Sequence, residues 1–216
     1  MLCFILMMWA ALAAAGIVTP RSSGSFLVEG ALPKGFVEVP TTWSGFEVNG
    51  EKMAFNGTIQ DVIRQIKVLD PGYDFDKHLT NNATDSPDWA SNQVSRLPPS
   101  NILTTKCGDL TRGATSSSIE EGAYYLQHLD ASLLCGSQPG SWDSPTCGRI
   151  SCSYQGAIWN CNYNEHSVAY PCWTFGVYAW GVADLCELGG RIVGSQIDLP
   201  YRIGAFAGHL QGGETC

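Results

Sequence analysis

One stretch of this sequence determines how its second half can fold: Cys147-Gly148-Arg149-Ile150-Ser151-Cys152-Ser153-Tyr154-Gln155-Gly156-Ala157-Ile158-Trp159-Asn160-Cys161-Asn162. Two β-prone runs flank Gln155-Gly156, and the pattern predicts a hairpin of strands 149–154 and 157–163 with that pair as its turn. Because side chains alternate along a strand, we expect one face, the core face, to carry Ile150, Cys152, Tyr154, Ala157, Trp159 and Cys161.

Cysteine is confined almost entirely to the same half of the chain. The ninth cysteine, Cys3, lies in an apolar leader, and the other eight are Cys107, Cys135, Cys147, Cys152, Cys161, Cys172, Cys186 and Cys216. An even set behind an export signal predicts four disulfides formed in an oxidising compartment, because cytosolic reductants keep thiols apart.

Helices and further strands flank the hairpin. Residues 102–110 form a predicted strand, Ser117-Ser118-Ile119-Glu120-Glu121 matches a capping box that opens a helix, and Pro171-Cys172 opens a second helix that ends at Cys186. The tail after residue 190 can supply one or two more strands. This order predicts the α+β class and, within it, a split βαβ, ferredoxin-like sandwich stapled by disulfides, with both helices on one sheet face.

The predicted topology restricts the disulfides. Cys172 and Cys186 stand at opposite ends of a helix roughly 21 Å long, so they cannot pair with each other. The end of that helix should return towards the hairpin turn, which favours Cys152 with Cys186. Cys135 with Cys172 is the second favoured pair, although Cys161 competes for Cys172. The sequence does not order the remaining cysteines.

The first hundred residues differ from the rest. Residues 1–15 carry no charge, are apolar and end in small residues, which predicts a signal peptide and a secreted, extracellular product. Residues 16–100 contain no cysteine; an amphipathic helix follows Thr58, and residues 80–100 have the composition of a linker. We therefore expect a separable N-terminal region, either a pro-segment or a loosely attached arm, before a disulfide-rich domain at 101–216.

Two tripeptides match the N-glycosylation sequon, Asn56-Gly57-Thr58 and Asn82-Ala83-Thr84. In a protein exported from a eukaryotic cell, Asn56 and Asn82 are both candidate glycosylation sites. Chance occurrence is the alternative for each, and Asn56 also suits the turn before a helix.

The charge excludes some partners. The formal net charge is −8, and the segment from Cys107 onwards holds four Arg and no Lys against ten acidic residues. Phosphates bind to clustered Lys and Arg, so we expect neither nucleic acid nor an anionic membrane surface as a partner. No apolar run after the leader approaches membrane length, so stable membrane insertion is not expected either.

The sequence contains one weak candidate for an active site. Glu165-His166 follows the hairpin, and a histidine beside a carboxylate can act as an acid or a base; a cleft joining this pair to Asp184 would support a hydrolase. We favour the alternative interpretation, solvated loop residues, because the sequence shows no nucleophile elbow, phosphate loop or dinucleotide fingerprint. Scattered histidines such as His128 and His209, with cysteines committed to disulfides, predict no metal site and no cofactor.

A platform for carbohydrate is a further alternative, suggested by four tryptophans: Trp142, Trp159, Trp173 and Trp180. Apolar periodicity assigns Trp159 and Trp180 to the core. Trp142 lies in a loop between turn residues and is the tryptophan expected to be exposed enough for a contact.

The hairpin motif resembles a family of small cysteine-rich secreted proteins of filamentous ascomycete fungi, which carry a similar Cys-Gly-Arg-Val-Ser-Cys-Ser-Tyr hairpin ending in a Cys-Asn pair. The likeness extends to Glu120-Glu121-Gly122-Ala123-Tyr124-Tyr125-Leu126, Gly194-Ser195-Gln196, Cys216, and Asn56 to Asp61 with Asp70 to Phe75. More loosely, the arrangement is similar to fungal killer toxins and necrosis-inducing proteins with α/β sandwich folds. The resemblance implies a secreted effector or toxin-like protein.

Two function classes remain. An effector or toxin-like protein needs only a stable scaffold that binds an unknown host or competitor protein or a cell-surface target. A small secreted hydrolase with a loop site at Glu165 and His166 needs a convergent acid and base. We favour the binding class.

Overall fold

A computed structural model of the chain describes residues 31–80, 102–212 and 214–216. The predicted signal peptide at 1–15, Asn82 and the predicted linker beyond Thr80 lie outside the described residues.

The described residues form a mixed α+β structure with three α-helices. The strands are β1 (Val37–Val39), β2 (Thr42–Val48), β3 (Glu51–Asn56), β4 (Leu103–Cys107), β5 (Ala114–Thr115), β6 (Leu134–Ser137), β7 (Thr146–Ser153), β8 (Gly156–Asn162), β9 (Val168–Pro171), β10 (Arg191–Ile192), β11 (Gly194–Asp198) and β12 (Ile203–His209). The helices are α1 (Ile59–Leu69), α2 (Ser116–Gln127) and α3 (Cys172–Cys186). The second-half helices thus lie where the sequence predicts them, but the predicted capping box at Ser117 is wrong, because α2 begins at Ser116 and its N-cap residue, Thr115, makes no side-chain cap hydrogen bond.

The strands build three sheets. The largest has the order β1-β7-β8-β12-β11-β4, the second β3-β2-β6-β9 and the third β10-β5. All neighbours are antiparallel except β1 and β7.

The strand order differs from the split βαβ sandwich that the sequence predicts. In a split βαβ fold the first strand lies between the hairpin and the last strand. Here β4 lies at the sheet edge, and the tail hairpin β11–β12 separates it from β8. The reason is that the tail forms two strands joined by a tight turn, with Arg202 in the left-handed region at φ 53°, and the longer of them pairs with β8 along its whole length.

The largest sheet is covered on both faces. On one face α2 and α3 pack against Ile150, Ile158 and Ile203. On the opposite face a second core surrounds Trp159 and Phe206, and it is covered by residues 31–36. The sheet is therefore an interior layer, and every residue of β8 is buried.

The hairpin forms, but its turn and register differ from the prediction. The turn residues are Tyr154 and Gln155, at φ 47° and 66°, and Tyr154 is 82% exposed rather than on the core face. A register shift between Arg149 and Ser151 places Ile150 on the helix face, whereas the other predicted core-face residues lie on the opposite face: Cys152, Ala157, Trp159 and Cys161. Gly156 belongs to β8, where it pairs with Ser153 and His209, and a Cβ at this position would collide with Ser118 of α2.

Four disulfides join Cys107 to Cys186, Cys135 to Cys172, Cys147 to Cys161 and Cys152 to Cys216. The structure therefore contains the favoured pair Cys135–Cys172 and not its competitor with Cys161. The other favoured pair, Cys152–Cys186, is wrong. The register shift turns Cys152 away from the helices, so it meets the C-terminal tail, and the end of α3 instead reaches the edge strand β4.

The described part of the N-terminal region belongs to the same folded unit as the cysteine-rich half. Strand β1 pairs with β7, and β2 pairs with β6. Trp43, Phe46 and Ile66 lie in one continuous core with Leu126 and Phe175 of the second half. A loosely attached arm is thus the wrong description of residues 31–79. Apolar packing joins the halves, and cysteine content does not report on apolar packing.

Helix α1 begins as the sequence predicts. The Thr58 hydroxyl accepts a hydrogen bond from the Asp61 backbone amide, and the Asp61 carboxylate accepts one from the Thr58 amide, which is a capping box. Asn56, the candidate glycosylation site in the described residues, is exposed at the end of β3, and its Oδ1 accepts a hydrogen bond from Thr42.

His78 fastens the segment after α1 to the core. Only 9% of it is exposed, its Nε2 lies 2.6 Å from the Tyr73 hydroxyl, and the rings of Phe46 and Phe75 pack at 5.3 and 5.6 Å. Burial lowers the pKa of His78 below its ordinary value, and the positive charge of Lys77 lowers it further.

Acidification should weaken the fold through His78. The stability that a neutral buried histidine contributes is complete above its ordinary pKa of about 6.5, and it is lost as pH falls through the lowered pKa of the folded protein. The negative charges of Asp74 and Asp130 raise the pKa of His78. The control variant is His78→Phe, which keeps both aspartates and removes only the histidine. Thermal unfolding at pH 7.5 and 5.0 should show a larger loss of stability in the native protein than in the variant; equal losses would contradict this account.

Substitution of Gly148 tests the packing of the N-terminal region on the sheet. A Cβ at Gly148 would collide with Oγ1 of Thr41 and lie 2.8 Å from Oδ1 of Asn160. Gly148→Ala should therefore lower the free energy of unfolding by about 1–3 kcal/mol in urea denaturation. In the control Gly72→Ala, the Cβ meets only Oδ1 of Asp70 at 3.5 Å. The free energy of unfolding of this control should change by no more than about 0.5 kcal/mol. Equal stability of the two variants would argue against this packing.

Candidate functional site

Three loops meet at the end of the large sheet where β8 ends and β7 and β12 begin. They comprise residues 138–145 before β7, 163–167 after β8 and 199–202 between β11 and β12. We call this surface the loop platform. It contains three residues singled out from the sequence, namely Trp142, Glu165 and His166.

Two asparagines hold the loops of the platform together. The Nδ2 atom of the fully buried Asn162 donates to the backbone oxygens of Gln138 and His166, each at 2.8 Å. The Nδ2 atom of Asn164 donates to the backbone oxygens of Tyr201 and Arg202 at 3.0 and 3.1 Å. Side-chain hydrogen bonds therefore connect all three loops, which fixes their relative positions.

Trp142 is the exposed aromatic residue of the platform. It is 43% exposed, and its ring lies against the ring of Tyr163 with centroids 5.1 Å apart. The guanidinium carbon of Arg202 lies 5.8 Å from the Trp142 ring centroid, within cation–π range. Tyr163 in turn meets the edge of Phe36, and burial raises the pKa of Tyr163. The exposed indole therefore rests on a buried aromatic base.

Glu165 and His166 do not form a catalytic pair with Asp184. Both lie exposed in the loop after β8, and within the described ranges neither side chain makes a hydrogen bond or ion pair. Asp184 lies in the last turn of α3, about 18 Å along the helix from Cys172 at about 1.5 Å per residue. The helix ends at Cys186, which is bonded to Cys107 beside Gly194, at the opposite end of β11 from the 199–202 loop, so the cleft that would support a hydrolase is not formed.

A shallow pocket of about 310 Å³ lies between β1, β7 and the start of α1. Its lining includes Glu38, Thr41, Asp61 and Arg149. The Asp61 carboxylate is engaged in the helix cap: burial alone would raise its pKa, but hydrogen bonds from Thr58 and the charge of Arg64 lower it.

Arg149 is the centre of an ionic clamp beside this pocket. Its Nε and Nη2 donate to Oε1 of Glu38 at 3.1 and 2.8 Å, and Nη2 also donates to Oε2 of Glu214 at 3.3 Å. The Trp159 indole donates to the same Glu38 oxygen at 3.2 Å, and the guanidinium lies 5.7 Å from the indole centroid. The clamp thus joins β1, the hairpin and the C-terminal tail.

The clamp is organised for structure rather than for chemistry. Arg149 also donates from Nη1 to the backbone oxygen of Thr215 at 3.5 Å, so its donors face groups of the chain itself. Burial raises the pKa of Glu214, as does the negative charge of Glu38, whereas Arg149 lowers it. Sequence reasoning missed this clamp because its residues are far apart in the chain and match no motif.

The other predictions on site residues have mixed outcomes. His128 lies at the end of α2, with Nδ1 2.7 Å from the Tyr124 backbone oxygen. Trp159 is fully buried as predicted, but Trp180 is 38% exposed on α3, so its assignment to the core is wrong. The reason is that one side of α3 faces solvent although its sequence is apolar nearly all round.

Neither a metal cluster nor a spanning helix is found among residues 31–80, 102–212 and 214–216. No three His, Cys, Asp or Glu side chains of this part lie together as metal ligands. No helix in it has the length and apolar character needed to cross a membrane.

No protein-family model, curated protein or solved structure matches the chain. The likeness to ascomycete secreted proteins therefore depends on the sequence motifs alone.

Removing the centre of the clamp should destabilise the protein. Arg149→Ala leaves Glu38 and Glu214 close together without their cation, and the free energy of unfolding should fall by about 1–3 kcal/mol in urea denaturation. Arg64→Ala is the matched control, because the Arg64 side chain is 69% exposed and ion-paired only at the surface with Asp61. Arg64→Ala should change the free energy of unfolding by no more than about 0.5 kcal/mol. Equal losses in the two variants would show that the clamp adds nothing beyond a surface ion pair.

Proposed function

We propose that this chain is a secreted effector or toxin-like protein of fungal type that acts by binding a host or competitor target through the loop platform. The observation that carries the proposal is the exposed Trp142 beside Arg202, set on loops that Asn162 and Asn164 tie together. Tryptophan, tyrosine and arginine are the residues enriched at binding hot spots, and pre-ordered loops lower the entropy cost of binding.

The disulfides support an extracellular role. Four disulfides in a chain of 216 residues suit an oxidising compartment, where no cellular reductants break them. The staples lie in both cores, so they stabilise the sheet from which all three platform loops emerge.

Binding is favoured over hydrolysis by the geometry of the charged groups. Glu165 and His166 stand exposed and distant from Asp184, and the carboxylates at the pocket are engaged with Arg149 or with the cap of α1. General acid–base catalysis needs an acid and a base that converge on one reacting group. The platform offers surface recognition instead.

Binding of the purified protein to intact plant and fungal cells tests the proposal. Trp142→Ala should weaken binding about tenfold or more, because the indole is the largest exposed contact of the platform. Trp180→Ala removes an indole of similar exposure from the outer side of α3 and should leave binding within about twofold. His166→Ala should also bind normally.

Two results would contradict the proposal. Equal binding by the native protein and a folded Trp142→Ala variant would exclude the platform as the recognition surface. If the native protein turns over a cell-wall or peptide substrate and a folded His166→Ala variant does not, the hydrolase alternative replaces the binding function.

A further inference from the structure

We infer that the loop platform binds a neutral carbohydrate chain, with the indole of Trp142 as the surface on which one sugar ring stacks. This inference rests on the proposed function and names the class of ligand. Three observations carry it: the open indole, the polar groups around it and the small apolar area of the platform.

The indole is held in place but is not buried. Tyr163 supports it from below at 5.1 Å between centroids, and Tyr163 is itself 3% exposed and packed on Phe36. The remaining exposed area of Trp142, 43%, offers a flat apolar surface with an electron-rich face. The C–H groups on one face of a pyranose ring match such a surface, because that face of a sugar is apolar while its hydroxyls point outwards.

Polar side chains lie on the loop of the indole and on the two neighbouring loops of the platform. Arg202 lies 5.8 Å from the ring centroid, and Asp143 is the next residue in the chain; both are exposed. Glu165 and His166 lie exposed on the neighbouring loop. These groups supply both hydrogen-bond donors and acceptors, which hydroxyl-rich ligands require. The charges are of both signs, so the platform favours neither a polyanion nor a polycation.

A carbohydrate suits the platform better than a protein partner. A stable protein interface buries roughly 800 Å² on each side and has an apolar core. Between residues 138 and 145 the sequence is Gln-Pro-Gly-Ser-Trp-Asp-Ser-Pro, in which Trp142 is the only large apolar side chain, and the 199–202 loop adds Leu199, which is 36% exposed. An exposed aromatic ring beside polar side chains can stack on a sugar ring and hydrogen-bond its hydroxyls.

Because the loops are rigid, a weak stacking contact between Trp142 and a sugar ring can contribute to binding. Asn162 is hydrogen-bonded at both ends of its amide, since its Oδ1 also accepts from the Asn164 backbone amide at 2.9 Å. The backbone amide of Gly140 donates to the Asn164 carbonyl at 2.7 Å. The Trp142 loop is therefore ordered before the ligand arrives, and little binding energy is lost in ordering it.

Calorimetric titration with neutral hexasaccharides tests the inference. The probes are laminarihexaose, cellohexaose, chitohexaose and a linear mannohexaose, each added to the full disulfide-bonded protein. At least one should bind, with a change in tryptophan fluorescence. Trp142→Ala should weaken that binding about tenfold or more, whereas Trp142→Phe, which keeps an aromatic ring, should retain most of it. Trp180→Ala is the matched control and should bind like the native protein.

The outcomes separate this inference from the proposed function. Absence of binding to all four sugars would overturn the carbohydrate assignment, and loss of cell binding in Trp142→Ala would then point to a protein target on the same platform. Sugar binding that Trp142→Ala leaves unchanged would place the sugar elsewhere and overturn the inference as well. Sugar binding that is lost in Trp142→Ala and kept in Trp142→Phe supports it.

Discussion

Strand β8 is buried along its whole length, because helices pack on one face of its sheet and residues 31–36 with the second core cover the other. Burial on both faces leaves no solvent for its polar side chains, so the hydrogen bonds that they make come from within the protein, and Nδ2 of Asn160 has no partner among the described residues. Oδ1 of Asn160 accepts a hydrogen bond from Thr41 at 2.9 Å, and the Asn162 amide joins two loops. The first contact anchors the N-terminal region, and the second builds the platform.

The disulfides are also distributed between the two faces of the large sheet. The helix-side core contains Cys135, Cys172 and Cys186, which form two of the disulfides, and the opposite core contains Cys147, Cys152 and Cys161, which form the other two. Two of the four disulfides thus lie on each face of the sheet. On the second face, the staple from Cys152 to the tail lies close in sequence to the ionic clamp of Arg149. Covalent and ionic contacts both hold the C-terminal tail to the hairpin.

In this construction, stability and the proposed recognition depend on different groups. The charged groups near the pocket hold elements together, and the buried asparagines hold loops, so neither set is left available for a reacting substrate. Trp142, Arg202, Glu165 and His166 are exposed on the three loops of the platform. A rigid scaffold with one polar aromatic surface suits binding, which is why the proposals concern a ligand and not a reaction.

The sequence by itself determined the features that depend on neighbouring residues: the cap of α1 at Thr58, the bounds of α3, the existence of the hairpin and the supply of eight cysteines for four disulfides. Local hydrogen bonds and periodicity fix such features. It also placed Trp142 in an exposed loop.

Only the tertiary structure decided the features that depend on distant contacts. The register shift after Arg149 decides which face Cys152 occupies, because one extra residue in a strand reverses the side-chain direction beyond it. The position of β4 at the sheet edge depends on competition between strands for β8, and the union of the two halves depends on apolar packing around Phe46 and Phe175. The contact of Trp142 with Arg202 depends on the order of those strands, since it brings together the loops that carry them.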